Sequence, residues 1–163
     1  MTPASPPRLV PDRPLPGYVH IPGQTPHPRH NPEPVTPLDT SSWQTNAAYL
    51  YGLDLFNHGF YWEAHEAWEG LWHAAGRRGT MADFLKSLIK LAAAGVKHLE
   101  GRPAGVASHS RRAAELWRSL PQQTEPFCGL RLGELIALAE TIARAGWPPE
   151  APRLIPTSQA QGL

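Results

Sequence analysis

The chain has 163 residues, a formal net charge of +1 and one cysteine, which excludes an internal disulfide and gives no broad electrostatic pull toward nucleic acid or an anionic membrane. Its 19 prolines are unevenly spread, twelve of them before Leu38, so the folded part is shorter than the whole. The N-terminus has no continuous apolar stretch and no segment approaches the length of a bilayer span, so the expectation is a soluble cytoplasmic protein with no membrane partner.

Residues 1–39 read as a Pro-rich arm, extended or disordered, because prolines recur every few residues, remove backbone donors and leave no apolar period. Within it Tyr18, Val19 and Ile21 offer apolar anchors, and His20, His27 and His30 offer imidazoles. An extended strap of this kind can dock across helices and add ligands to a metal site. Residues 40–147 read as the helical domain, and 148–163 as a C-terminal tail. Five of the six tryptophans lie between Trp43 and Trp117, enough apolar material to form a core without a metal.

The first helix is expected to open near Thr40, Ser41 or Ser42, whose hydroxyls can cap free N–H groups, and to run through Phe56 until Gly59 ends it. A second follows from about Phe60 to Ala75, with Gly76 closing it. The third opens at the capping-box-like Thr80-Met81-Ala82-Asp83 and stops at Gly101-Arg102-Pro103. The fourth spans about Ala104 to Leu120, and the fifth about Arg131 to Ala145. Nothing reads as a strand, so the fold class is all-α, a compact bundle or short superhelix of about five helices.

Helix two concentrates the chemistry. At about 100° per residue, Phe60, Tyr61, Ala64, Ala67, Trp68, Leu71 and Trp72 share a broad core-facing arc, while Trp62, Glu63, His65, Glu66, Glu69 and His73 occupy the remainder. Trp62 is the anomaly, a large ring among charged groups, where it can stack on a ligand, clamp a cation or pack on another segment. His65 and Glu69 lie four apart, as do Glu69 and His73, so either pair can chelate a metal. His65 and His73 are about 12 Å apart along the axis, too far to share one ion. The string His65-Glu66-x-x-Glu69 lacks the second histidine of a zinc metalloprotease motif. A hydrogen-bonded His/Glu seam is the structural alternative.

Helix three supplies an opposing wall with Lys86, Lys90, Lys97 and His98. A cleft in which Glu63, His65 and Glu66 face Lys90 and His98 would make Glu66, with His65, the candidate catalytic pair. Arg102, Arg111, Arg112, Arg118 and His109 form either an anion-binding edge or a solvated face. No phosphate loop, nucleophile elbow or zinc ribbon occurs, and Cys128 has no basic neighbour in sequence to activate it.

The pattern Gly52, Asn57-x-Gly59-x-Tyr61-x-Glu63-Ala64, Trp68 and Trp72 resembles one tetratricopeptide unit. More specifically, Phe56-Asn57-x-Gly59-x-Tyr61-Trp62-Glu63-Ala64-His65-Glu66-x-Trp68-Glu69-x-x-Trp72, followed by Leu85-Lys86-x-Leu88-Ile89-Lys90-Leu91-Ala92-Ala93-Ala94 and then His98 and Gly101, resembles the domain-of-unknown-function family number 309 over about residues 43 to 121. The resemblance implies an all-helical fold and a shared polar cluster at Glu63, His65, Glu66 and His98. It implies no established reaction. Where that family usually carries glutamine, this chain has Lys90, which adds a charge to the cluster.

The leading functional expectation is a non-catalytic ligand- or protein-binding or scaffold domain, with Trp62, Glu63, His65, Glu66, Glu69, Lys90 and His98 as its binding residues. One alternative is a small hydrolase, metal-assisted or not, using His65, Glu66, Glu69 and His98. Another is a phosphate or RNA binder using Lys90, Lys97 and Arg111. No motif implies a cofactor. The expected partner is a small molecule or a protein, nucleic acid is disfavoured, and an open groove is compatible with a homo-oligomer.

Overall fold

The computed structural model describes residues 4–28, 33–121 and 125–157. Five helices follow a single 3-10 turn at Trp43–Thr45: α1 (Ala47–Asn57), α2 (Tyr61–Ala74), α3 (Thr80–Leu99), α4 (Pro103–Ser119) and α5 (Leu132–Ala145). The fold is all-α and compact, and among the described residues the only extended pairing is an isolated bridge between Phe127 and Leu130. Each helix packs chiefly on the next in the chain. The core between them holds Tyr49, Phe56, Trp68, Phe84 and Trp117, all fully buried. No helix among the described residues is long and apolar enough to cross a membrane.

Two helix starts differ from the sequence expectation. Ser42 precedes only the 3-10 turn and caps nothing with its side chain, while the Ser41 hydroxyl and amide are taken up by the Asp39 carboxylate at 2.7 and 2.8 Å. The true cap of α1 is Asn46, whose Oδ1 accepts from the Tyr49 amide at 3.0 Å while its Nδ2 donates to the Thr36 carbonyl at 2.9 Å. One side chain thus satisfies a free helix donor and ties down the preceding segment. At α3, Thr80 lies inside the first turn, and the capping position falls on Gly79, so the expected capping box does not form.

The α1–α2 turn forms for a local reason. Gly59 sits at φ +87°, a conformation that costs other L-residues, and this reverses the chain so that the Phe60 amide reaches the Leu55 carbonyl at 2.8 Å and the Gly59 amide reaches Phe56 at 3.1 Å. These two bonds close the orphan carbonyls of α1. They also deliver α2 directly against α1.

Non-helical segments on both sides of the bundle are fastened to α1 by its two buried polar side chains. Asp54, fully buried, accepts from the Leu9 and Val10 amides at 2.7 and 2.9 Å and from Arg8 Nε at 3.1 Å. Asn57 accepts from the Leu154 amide at 2.6 Å and donates to the Leu154 carbonyl at 2.9 Å. Tyr51 Oη adds a bond to the Pro14 carbonyl at 2.7 Å. Expectations that fall on residues 1–3, on residues 29–32 (His30 among them), on residues 122–124 and on residues 158–163 lie outside the described residues.

Candidate functional site beneath the N-terminal segment

The outward arc of α2 is covered where it carries Trp62. The indole is met edge-on by His20, with ring centroids 4.7 Å apart, and by His27 at 4.9 Å, and the two imidazoles stand 5.3 Å from each other. His20 is itself buried and held by Thr25 Oγ1, 2.9 Å from its Nδ1. The apolar ring that looked misplaced among charges is therefore the docking point of residues 20–27. The imidazoles of His20 and His27 meet this indole, and neither belongs to the group of His65, Glu66 and Glu69 ligand atoms.

Next to Trp62, the Glu63 carboxylate is enclosed. Both of its oxygens are inaccessible and neither makes a hydrogen bond of full geometry. Burial raises the Glu63 pKa, and the backbone amides of Glu63 and His20 offset only part of that rise. A carboxyl whose pKa is higher in the fold than in the unfolded chain favours the fold most while protonated in both states. That contribution is lost as pH rises from the unfolded value through the folded one. Glu63→Gln is therefore expected to raise the urea midpoint over wild type near neutral pH and to leave it unchanged at about pH 4. Chemical denaturation of both proteins at the two pH values checks this, and an equal difference at both would contradict it.

A cavity of about 870 Å³ opens between the N-terminal segment and the α1–α2 pair. Arg13, Tyr18 and Val35 wall one side, and Tyr51, Trp62 and Glu66 the other. Arg13 lies over the Tyr51 ring, 4.5 Å from its centroid. Volumes of this order suit small organic ligands, and aromatic walls with a few polar groups are their usual lining.

Beside the cavity, His65 Nδ1 stands 3.5 Å from Glu66 Oε1 and 3.5 Å from Glu69 Oε2. One ligand atom from each of the three lies within 4.8 Å of the others. The second oxygen of Glu69 is 3.9 Å from His73 Nε2, and Arg77 Nε donates to His73 Nδ1 at 2.9 Å. A guanidinium can only donate, so His73 accepts at Nδ1 and presents its N–H from Nε2 toward Glu69.

The α3 residues go elsewhere. His98 is exposed and stacks on Trp147 at 5.5 Å with 16° between planes. Trp147 also meets Tyr61 at 5.1 Å, and burial pushes the Tyr61 hydroxyl up to about 12 despite a hydrogen bond with Trp147. Lys97 pairs with Glu100 at 3.1 Å, and Lys86 lies over the Trp72 ring. Lys90 stands close to His109, whose pKa is lowered first by burial and then by Lys90, Lys97 and His65. The structure thus gathers Trp62, Glu63 and Glu66 around the cavity and His65, Glu66 and Glu69 at its edge, and sets His98 on Trp147. Burial raises the Cys128 thiol to about 12, so this cysteine is not an activated nucleophile.

Sequence reasoning passed over Asp54. The available signal was one acid inside the apolar run Leu50-Tyr51-Gly52-Leu53-Asp54-Leu55-Phe56, a position where burial demands a partner.

Comparison with curated proteins returned no matching sequence. Residues 49–109 match the family described as Domain of unknown function (DUF309), a stretch that runs from within α1 into α4 and contains all of α2 and α3. Over residues 49–109 the chain belongs to the DUF309 family.

Proposed function

We propose that this protein is a non-catalytic binding domain whose ligand is a small organic cation held between the N-terminal segment and the α1–α2 pair. The observation that carries this reading is the cavity of about 870 Å³ in which Trp62, Tyr51 and Tyr18 share the walls with Glu33, Glu63 and Glu66. Ring faces attract a desolvated cation by roughly 0.5–2 kcal/mol each. Of the three carboxylates, Glu33 and Glu66 offer a directional partner for an ammonium N–H, whereas both oxygens of Glu63 are enclosed behind the wall. Arg13 is the one cation among the described lining residues, and its guanidinium is already stacked on Tyr51.

The metal-assisted hydrolase reading has less support, because His98, one of its four residues, stacks on Trp147. Calorimetric titration with choline, spermidine and phenethylamine, against neutral and carboxylate compounds of matched size, tests the proposal. At least one ammonium compound is expected to bind saturably, about tenfold more weakly in Trp62→Ala and more weakly also in Glu66→Gln. Preference for the carboxylate compounds, or absence of saturable binding by any ammonium compound, would overturn it.

A further inference from the structure

We infer that His65, Glu66 and Glu69 form a binding site for a first-row divalent metal ion on the exposed edge of α2. Ligand atoms around a tetrahedral ion at about 2.0–2.1 Å stand about 3.3–3.4 Å apart. His65 Nδ1 lies 3.5 Å from one oxygen of each glutamate, so two edges of such a polyhedron are already nearly in place. The third edge, between the two carboxylates, is within 4.8 Å and closes by rotation of side chains that are 29% and 39% exposed.

A separate observation distinguishes this group from an ordinary helix-surface ion pair. His65 Nδ1 is buried and makes no hydrogen bond, since 3.5 Å is too long for a good charge-assisted contact. An imidazole nitrogen enclosed in this way, with a carboxylate oxygen on either side, lacks the partner that a metal supplies.

On the far side of Glu69, His73 Nε2 stands 3.9 Å from the second carboxylate oxygen, beyond hydrogen-bond reach, and carries its N–H on that nitrogen because Arg77 donates to Nδ1. A small side-chain rotation brings the two into contact once a metal draws Glu69 into place, an outer partnership of the kind that typically changes metal affinity by about 10–100-fold. One imidazole and two carboxylates suit zinc, manganese or ferrous iron better than calcium or magnesium, which favour all-oxygen sites. Three protein ligands leave coordination positions open, and Glu66 also lines the cavity.

The test is titration of chelator-treated, tag-free full-length protein with zinc, using magnesium as the control ion. The expected result is one saturable zinc site, weakened at least about tenfold in His65→Ala and in Glu69→Gln and to a smaller extent in His73→Ala. Circular dichroism of each variant checks that helix content is unchanged. No saturable binding, or a site indifferent to His65→Ala, would overturn the inference. The zinc-free protein serves for the ammonium titrations, so failure of the metal site and failure of the cavity reading are separately visible.

Discussion

Replacing Asp54 by alanine is expected to lower stability by about 3 kcal/mol and to release the N-terminal segment from α1. Asp54 is fully buried and accepts three bonds, from Arg8 Nε and from the Leu9 and Val10 amides. Removing one member of a buried charged pair costs about 3–5 kcal/mol. The lower end applies because the Arg8 side chain is 22% exposed and regains water when its partner is lost. Asp54→Asn would be little better in that site: the amide keeps one acceptor but presents a donor where only donors arrive. Two measurements check the expectation. The urea midpoint should fall, and the Leu9 and Val10 amides should exchange with solvent far faster than the amides of α3. A variant with wild-type stability and slow exchange at these two amides would contradict the account of how the segment is held.

Gly52→Ala is expected to cost about 2 kcal/mol, against the usual preference for alanine in a helix. A Cβ at this position would lie 2.2 Å from Trp68 Nε1 and 2.7 Å from Cδ1. Trp68 cannot retreat, because it is fully buried against Phe56 at 6.1 Å between ring centroids, with its Nε1 directed at the Tyr49 carbonyl. Overpacking of a filled core costs typically about 1–3 kcal/mol, and a clash this deep belongs at or beyond the upper end. The helix-propensity gain of at most about 1 kcal/mol recovers only part of it. Gly133→Ala in α5 is the control: nothing lies within 4 Å of the added methyl, so the variant should be neutral or slightly more stable. Thermal denaturation should separate the two variants by several degrees, Gly52→Ala being lower. Equal melting temperatures would contradict the packing of Trp68 on α1.

The helices were legible because their ends carry local chemistry. Gly59, Gly76 and Gly101 interrupt apolar periods, and Pro103 stands at the first position of α4. The starts of α1 and α3 were displaced because several capping residues competed. Ser41 was preferred by Asp39, and Thr80 lay one position inside its helix.

The crowded polar face of α2 was legible as a place, through the density of Glu, His and Trp in one stretch. What covers it was not, since the contacts of Trp62 with His20 and His27 and of Asn57 with Leu154 join distant parts of the chain that share no period. The proline content of residues 4–28 signals an extended backbone but says nothing of where it docks. That information resides in Asp54, whose unmet charge on a buried helix face needed backbone donors from elsewhere. His98 marks the opposite case: on sequence grounds it belonged with Glu66, yet the aromatic ring of Trp147 provides its contact.

The most direct test of the binding reading is a nuclear magnetic resonance titration of isotope-labelled protein with the tightest of the ammonium compounds, following the indole N–H of Trp62. The account predicts saturable shifts at that indole and at the amides of Arg13, Tyr18 and Tyr51, with the amides of α5 unmoved. Shifts confined to α4 and α5, or an unmoved Trp62 indole at saturating compound, would contradict a ligand seated between the N-terminal segment and α2.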